Sequence, residues 1–550
     1  MPTRLVPKTI SVLQEGYSLS RLRSDAISGL TVAIVALPLS MAIAIASGVS
    51  PDRGLFAAII GGFFVSLLGG SRHQIGGPAG AFIVLVAASV ERNGIDGLLI
   101  AVMLSGLIMI AAGYLKLGAY IRFIPYPVTV GFTAGIAIII FASQLSAIFG
   151  LNLPGKEPGP FAEKIAYLAQ YAGTTNVAAL SLALVTIAII IALKRIRPGW
   201  PGMLIAVAVA SLASFALQLP VDTIGSQFGG LPRGLQAPAL PAFSLEKVIA
   251  VLPDAFAFAL LGSIESLLSA VVADGMTGRR HRSNMELIGQ GVANIASALF
   301  GGICVTGTIA RTATNVRAGA TSPFSGMLHS AFLLVFMIVA APLARYIPLA
   351  ALSGVLAVVA WTMVEKAAFR TLLRSSRGDA VILIVTLLLV VFRDLTEGIV
   401  AGLALGAVLF IDRMGKNVAV NPYADYHEKA EQPIVNTDPD TVIYRISGAF
   451  FFGAAATVGS ALDRIADGAR NYIIDLSDVP YLDSTGANVL DGTVRKTTRG
   501  NVRVLFAGAS PQVRSTLESH HIDEGRVTYC ETLEAAIAAT KAAPPQRQET

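Results

Sequence analysis

The sequence is poor in charge, in cysteine and in leader-like features. Only 14% of its 550 residues are charged and its mean hydropathy is +0.67, whereas soluble domains carry about 25% charged residues. A purely soluble protein is therefore excluded. The two cysteines, Cys304 and Cys530, lie in an apolar and a polar region, which disfavours a disulfide framework, and two cysteines alone cannot form a structural zinc site. The polar N-terminus is not followed by a short apolar core with a cleavage site, so we expect no cleavable signal peptide.

Long uncharged runs take the place of the missing charge. Residues 98–115 and 177–193, for example, have roughly the 17–25 residues that a membrane helix needs. We count about fourteen such spans between residues 25 and 412. This count predicts a polytopic α-helical membrane protein whose surroundings are the lipid bilayer.

The net charge of +6 follows the predicted topology. Basic residues precede the first span and follow the second, sixth, eighth, twelfth and last spans, which places them all on one side of the membrane. This positive-inside bias predicts a multi-pass inner-membrane protein with both termini in the cytoplasm, and no nucleic-acid partner. The basic residues are Arg21, Arg23, Arg72, Lys194, Arg195, Arg197, Arg279, Arg280, Arg282, Arg370, Arg374, Arg377, Arg413 and Lys416.

The composition changes from about residue 421, where charged residues return and short strands alternate with amphipathic helices. The strands are predicted at 442–447, 472–476 and 502–507, and the helices at 455–465 and 485–496. This pattern indicates a small α/β domain. The predicted organisation is an N-terminal segment at 1–24, a membrane domain at 25–415 and a tail domain at 430–545.

Two predicted spans are interrupted by glycine and proline. GGPAGA at 76–81 breaks the third span, and GGICVTGT at 301–308 opens the tenth. A shift of 229 residues superimposes Pro78 on Gly307, and also Asp25 on Asp254 and Ser40 on Ser269. Paired interruptions in corresponding halves are typical of inverted-repeat transporters and indicate a binding site near the membrane midplane.

Such breaks can bind an anion without a metal or another cofactor. A helix that begins inside the membrane presents unpaired N–H groups and a positive dipole end. Pro78 suits the first position of one helix, and the Thr308 hydroxyl suits the N-cap of the other. Arg311 lies one turn further and can bind an oxyanion with two hydrogen bonds. The predicted substrate-binding residues are Ser40, Gly77, Pro78, Ala79, Gly80, Gly307, Thr308, Ile309, Ala310 and Arg311.

Glu265 is an acid inside the apolar eighth span, on the helix face shared by Ser269. An intramembrane acid is costly unless it faces a cavity or a partner, so Glu265 and Ser269 are predicted to couple transport to a proton or a sodium ion. The alternative is that Glu265 and Arg311 form a structural ion pair. For Gly76 or Gly77 alone, close helix packing is the alternative role.

Two other polar features are interpreted as structural. Arg317 fits a cytoplasmic helix end. The row Glu286, Gln290 and Asn294 has helical spacing near a predicted cytoplasmic end, where solvation explains it.

Several motifs, in order along nearly the whole chain, resemble the sulfate permease (SulP) family followed by a STAS domain. They are LPLSMA at 37–42, GGP at 76–78, IESLLSAVVADGMTG at 264–278 and GTIARTATNVRAGA at 307–320, then IDLS at 474–477 and LDSTGA at 482–487. The arginine of the tenth span and the acid of the eighth look most like bacterial C4-dicarboxylate-type members.

The resemblance implies a seven-plus-seven inverted repeat shared with nucleobase transporters. A core domain would hold the substrate between the third and tenth spans, beside a gate domain of spans 5–7 and 12–14. Family members are commonly homodimers, and in sodium-coupled bicarbonate members the positions of Glu265 and Ser269 contribute to the cation site. Many relatives carry Gln at the position of Leu39, which makes transfer of a substrate between relatives unsafe.

The predicted function is secondary active transport of a small anion, sulfate or a C4-dicarboxylate such as succinate or fumarate, coupled to protons. The alternatives are a sodium-coupled bicarbonate symporter, an anion exchanger and a weakly coupled anion channel. A titrating Glu265 favours coupling over free conduction. An enzyme is disfavoured because the sequence offers no nucleophile set and no metal-ligand spacing.

Ser484 in the tail motif has two interpretations. In anti-sigma-factor antagonists, which the tail resembles, the serine after the aspartate is a phosphorylation site. The alternative is that Ser484 simply caps the helix that follows it.

Overall fold

The computed structural model describes residues 5–120, 124–155, 157–197, 200–393, 395–422, 440–463, 470–500 and 502–541. The chain divides into two compact units, Met1–Leu403 and Ala404–Thr550. The first unit is helical and apolar, and the second contains a five-stranded sheet.

Nine helices of the described residues are long and apolar enough to cross a membrane. They are Leu19–Ala46, Pro51–Leu68, Gly80–Tyr114, Tyr126–Phe149, Val177–Ile196, Leu245–Thr277, Phe324–Ala344, Leu349–Ser375 and Leu395–Lys416.

The fourteen predicted spans are accounted for in two ways. A bend at Gly94 divides one of the nine helices into two spans, and four shorter helices supply the other four. Gly94 has φ 68° and ψ −174°, so Gly80–Tyr114 is bent into a third span that ends before it and a fourth span that begins after it. The shorter helices Gly202–Ala216, Ser283–Leu299, Ile309–Arg317 and Arg377–Phe392 form the seventh, ninth, tenth and thirteenth spans. Within Leu349–Ser375, the twelfth span is Leu349–Met363 and a separate helix, Lys366–Ser375, follows it.

The spans pack as two groups. Spans 1–4 pack with spans 8–11, and spans 5–7 pack with spans 12–14. Glycines allow the helices within each group to approach closely. In the first group, a Cβ at Gly291 would collide with the carbonyl oxygen of Gly106. In the second group, a Cβ at Gly131 would collide with the carbonyl oxygen of Leu383. This is the seven-plus-seven arrangement with a core group and a gate group.

One carboxylate in each repeat connects it to the other. Asp25, fully buried at the start of the first span, accepts hydrogen bonds from the backbone N–H groups of Thr321 (2.6 Å) and Ser322 (3.2 Å) and from both hydroxyls. Its counterpart Asp254 accepts hydrogen bonds from Arg92 Nη2 (2.6 Å) and Asn93 Nδ2 (3.1 Å).

These partners are themselves related by the shift of 229 residues, since Arg92 corresponds to Thr321 and Asn93 to Ser322. The inverted repeat is therefore present in the hydrogen bonds as well as in the helices.

The N-terminal helix Lys8–Gln14 packs on the end of the second span. Thr9 Oγ1 donates to the carbonyl oxygen of Leu67 (2.8 Å), and Glu15 forms an ion pair with Arg72. The hydrogen bond from Arg72 holds the pKa of Glu15 below its ordinary value. The first span begins at Leu19, six residues before the predicted start of the membrane domain.

The second unit is an α/β fold. Strands β1 (Gly76–Gly77) and β2 (Thr306–Gly307) belong to the first unit. The strands of the second unit are β3 (Ala419–Pro422), β4 (Thr441–Ser447), β5 (Asn471–Asp478), β6 (Arg503–Ala507) and β7 (Thr528–Cys530), in that spatial order. Strand β3 is antiparallel to β4, and the other neighbours are parallel. The helices are Ala455–Asp463, Ser484–Arg499, Pro511–Ser519 and Leu533–Lys541. Central strand β5 is buried over five consecutive residues, because hydrophobic clusters cover both faces of the sheet. The sheet begins at β3, ahead of the predicted domain start at residue 430, since β3 pairs with β4 at the edge.

The remaining helices among the described residues are short. They are Phe161–Gln170 and Ile224–Phe228, with single turns at Leu117–Ala119 and Ala172–Thr174.

Candidate functional site

The third span starts with an extended segment. Gly76 and Gly77 form strand β1, Ala79 is the N-cap, and the helix begins with a 3₁₀ turn at Gly80–Phe82. Pro78 therefore precedes the N-cap, and its predicted place at the first helical position is wrong. The helix starts two residues later because Ala79 is still extended (φ −115°, ψ 147°).

The tenth span has the same design. Strand β2 (Thr306–Gly307) precedes the N-cap Thr308 and the helix Ile309–Arg317. Thr308 occupies the predicted N-cap position, but its hydroxyl does not cap the helix. It donates instead to the carbonyl oxygen of Ile75 at 3.2 Å, so it connects the two breaks.

The two breaks meet directly. Strands β1 and β2 are antiparallel, with Gly76 opposite Gly307 and Gly77 opposite Thr306. The backbone N–H groups at the start of each helix have no acceptor within their own helix. Two positive helix ends therefore face one region inside the first unit.

Arg311 occupies this region. It is 3% exposed, and Nη2 donates to the carbonyl oxygen of Pro78 at 2.7 Å. Its Nε and Nη1 have no hydrogen-bond partner among the described residues. Gly77 makes room for the guanidinium, since a Cβ there would collide with Nη1 of Arg311. Buried N–H donors are normally satisfied, so these two make Arg311 a candidate for binding a ligand.

Glu265 faces the same region from the eighth span. It is half-buried and forms no hydrogen bond or ion pair with any described residue, Arg311 included. The structural ion pair considered from the sequence is therefore not present in this conformation. Ser269 lies behind the site, where its hydroxyl donates to Thr312 Oγ1 at 3.0 Å.

A cavity of about 330 Å³ joins these groups. Eight predicted site residues line it: Pro78, Ala79, Gly80, Thr308, Ile309, Ala310, Arg311 and Glu265. Four predicted residues, Ser40, Gly77, Gly307 and Ser269, do not. Ser40 is buried where its backbone meets Gly54, and a Cβ at Gly307 would overlap the side chain of Gln74. These two positions serve close packing.

The opposite wall of the cavity was not predicted from the sequence. Spans 5, 7 and 12 contribute it through Thr133, Met203, Val359, Thr362 and Met363, together with Glu365 beyond the twelfth span. Single uncharged residues in apolar helices give no signal that separates a cavity wall from a lipid-facing surface. Glu365 was detectable as an acid beside a span, and its carboxylate accepts a hydrogen bond from Tyr126 (3.2 Å). Leu39 also lines the cavity.

A larger cavity of about 520 Å³ lies between spans 1, 7 and 11. Its lining includes Leu37, Leu204, Phe215 and Phe336 and contains no charged side chain among the described residues. It offers an anion no basic side chain among the described residues, so the smaller cavity is the candidate site.

The tail motif has a different helix cap from the predicted one. Asp483 is the N-cap of Ser484–Arg499, since its carboxylate accepts hydrogen bonds from the N–H groups of Gly486 (2.8 Å) and Phe452 (3.0 Å). Ser484 is the first helical residue and is exposed. The capping interpretation of Ser484 is wrong, because the carboxylate before it already fills that position.

The sequence matches two families, consistent with the breaks, the repeat and the tail. Residues 22–386 match the Sulfate permease family, and residues 432–536 match the STAS domain. The chain belongs to the sulfate permease family and carries a C-terminal STAS domain. It is a multi-pass membrane protein of a transporter family, not an enzyme.

Three similar proteins illustrate the relationship. YvdB of Bacillus subtilis (strain 168), named as a candidate sulfate transporter, is 39% identical over 92% of this chain and 94% of its own. The bicarbonate transporter BicA of Synechocystis sp. (strain ATCC 27184 / PCC 6803 / Kazusa) is 32% identical over 90% of each chain. The inward-facing structure of the murine anion transporter Slc26a9 superimposes with a TM-score of 0.85 over 98% of this chain and 94% of that one, at 18% identity, which establishes the shared fold.

Proposed function

We propose that this protein is a secondary active transporter of a small oxyanion, bicarbonate or sulfate, coupled to a cation that binds at Glu265. The observation that carries the proposal is Arg311, a buried guanidinium with two unpartnered nitrogens at the meeting point of two helix starts. A bound oxyanion would accept the hydrogen bonds that these donors lack. The names of the relatives YvdB and BicA agree with this substrate class.

Charge in the cavity favours a small oxyanion over a C4-dicarboxylate. Arg311 is the one basic side chain among the described residues that line it, and Glu265 and Glu365 are acidic. A single bicarbonate or sulfate ion can bind Arg311 and both helix ends, each of which contributes roughly half a positive charge. The second carboxylate of succinate or fumarate would meet no described cation in the cavity.

Glu265 is proposed to carry the coupling cation, either a proton or sodium. Its carboxylate borders the cavity without a partner, so its charge can be neutralised by a cation when substrate binds. Ser269 supports that helix face through Thr312 and does not reach the cavity.

The test is uptake into proteoliposomes under imposed pH or sodium gradients. Radiolabelled bicarbonate, sulfate, succinate and fumarate are compared, and we expect gradient-driven accumulation of bicarbonate or sulfate only. Accumulation of succinate would contradict the charge argument. Saturable exchange without accumulation would indicate an exchanger, and flux that only equilibrates would indicate a channel.

The membrane placement is proposed from the basic residues. They follow even-numbered spans, as in Arg282 after the eighth and Arg413 in the fourteenth, which supports an inner-membrane protein with both termini in the cytoplasm. A homodimer is proposed by family resemblance, and cross-linking in native membranes tests it.

The tail domain is proposed to regulate the transport rate through Ser484. Its exposed hydroxyl at a helix start would place a phosphate near backbone donors and a favourable dipole end. Ser484→Asp should change the maximal rate at unchanged KM, and Ser484→Ala should leave both unchanged. Phosphoproteomics of the host that finds Ser484 unmodified under all transport conditions would contradict this role.

A further inference from the structure

A polar row runs along one face of the ninth span. Glu286, Gln290 and Asn294 are four residues apart, so they lie on the same side of the helix Ser283–Leu299. All three are fully buried, so the solvation predicted from the sequence is wrong. A buried carboxylate and two buried amides need hydrogen-bond partners.

Glu286 binds the connection that leads into the third span. Its Oε2 accepts hydrogen bonds from the backbone N–H groups of Gly70 (2.7 Å) and Ser71 (2.9 Å). Strand β1 begins at Gly76, only five residues beyond Ser71. The carboxylate thus fixes the approach to the first of the two helix breaks.

Ser266 links Glu286 to both the eighth span and the first break. Its hydroxyl lies 3.2 Å from Glu286 Oε1 and 3.2 Å from Gln290 Oε1, and it accepts a hydrogen bond from Gln74 Nε2 at 2.7 Å. Gln74 lies two residues before Gly76. Ser266 directly follows Glu265, so the same network also holds the backbone that carries the proposed coupling acid.

The other end of the row holds the second break. Gln290 Nε2 donates to the carbonyl oxygen of Val305 at 2.7 Å, and the Asn294 side chain both donates to that carbonyl (3.0 Å) and accepts from the Val305 N–H (2.9 Å). Val305 directly precedes β2. One face of the ninth span therefore fixes the segments that lead into β1 and β2. These segments are not helical, so their backbone groups need hydrogen-bond partners from elsewhere.

We propose that Glu286 is a positioning residue for anion binding. Through the Ser266 hydroxyl it sets the two helix starts and the Glu265 backbone relative to one another, without touching the substrate. This inference rests on the proposed transport function, because its readout is the apparent affinity for the anion.

The experiment measures initial uptake of radiolabelled bicarbonate and sulfate by purified full-length protein in proteoliposomes. Glu286→Gln keeps the size of the side chain but removes two acceptor positions. Since hydrogen bonds to charged groups are the strong ones, we expect KM to rise about tenfold or more, with the maximal rate per folded molecule little changed. Ser266→Ala should raise KM about threefold. The double variant should be no worse than Glu286→Gln alone, because both changes break one network.

Glu246→Gln is the matched control. It makes the same chemical change at an exposed acid of the same membrane unit, and its KM should equal that of the wild type. A folded Glu286→Gln protein with wild-type KM overturns the inference, leaving a purely structural role. If that variant does not fold, an unchanged KM in Ser266→Ala overturns it equally. A wild-type protein that transports neither anion refutes the proposed function instead.

Discussion

The two repeats of the membrane unit share their backbone design but not their chemistry. The shift of 229 residues pairs the N-caps Ala79 and Thr308, and each begins a helix after a two-residue strand. The same shift pairs Arg311 with Phe82, and Glu265 with Ala36. The first repeat is thus apolar at both positions where the second is charged.

This difference shows which parts of the proposed anion site can be duplicated. Unpaired N–H groups at a helix start exist in both repeats, because the fold itself creates them. A buried charge is costly, and a second buried arginine would add its own desolvation. Phe82 instead packs against Phe258, with ring centroids 6.0 Å apart, and forms part of the hydrophobic core. One repeat supplies the charge and the other supplies the packing.

The largest effect is expected from removing the arginine. Arg311→Ala should weaken anion binding by about 2–5 kcal/mol, the range seen when one partner of a buried charge pair is lost. Arg311→Lys should restore only part of this, since a two-point fork becomes a point charge. Equilibrium binding of sulfate and bicarbonate to purified protein measures both.

Two further variants sharpen this comparison. Arg317→Ala, at the exposed end of the same helix, should bind as the wild type does. Adding Phe82→Arg to Arg311→Ala should not restore binding, because the new side chain replaces a core ring. Restored binding would show that the repeats are chemically interchangeable.

Coupling is expected to fail when the acid is neutralised. Glu265→Gln resembles the protonated form, so gradient-driven accumulation should fall to simple equilibration while the protein still folds and binds the anion. The measurement is the accumulation ratio in proteoliposomes at a fixed pH or sodium gradient. Full accumulation by this variant would exclude Glu265 as the cation site.

The two connecting carboxylates are expected to affect stability, and the two losses should differ. Asp25→Asn removes a fully buried acceptor of several hydrogen bonds and should cost about 3 kcal/mol of stability. Asp254→Asn should cost about 1 kcal/mol or less, because its partner Arg92 is largely exposed. Thermal unfolding in detergent measures the stability of both variants. Equal losses of stability would contradict the expectation that burial sets the cost.

The sequence predicted the elements with the strongest patterns. Apolar length and basic residues gave the fourteen spans, and the Gly/Pro interruptions located both helix starts, with Arg311 and Glu265 at one cavity. Details that depend on a single backbone turn were not predictable. The Thr308 hydroxyl bonds across to Ile75, and Asp483 rather than Ser484 caps the tail helix.

Side chains behind or opposite the site were also beyond prediction. Ser40 falls on Ser269 under the shift, yet neither lines the cavity. Met203 and Thr133 line it without any feature in their own spans that separates them from neighbours facing lipid. Which face of an apolar helix meets a cavity is decided by tertiary packing.

The carboxylate of Asp25 has a consequence for how the chain is made. Its partners Thr321 and Ser322 lie 296 and 297 residues later, so the first span enters the membrane long before they leave the ribosome. For Asp254 the order of synthesis is reversed, because Arg92 and Asn93 have already been synthesised when Asp254 emerges from the ribosome. The second repeat therefore assembles on partners that are in place, while the first repeat stays incomplete until the loop before the eleventh span arrives. Asp25 can therefore form these hydrogen bonds only after the second repeat has been largely synthesised.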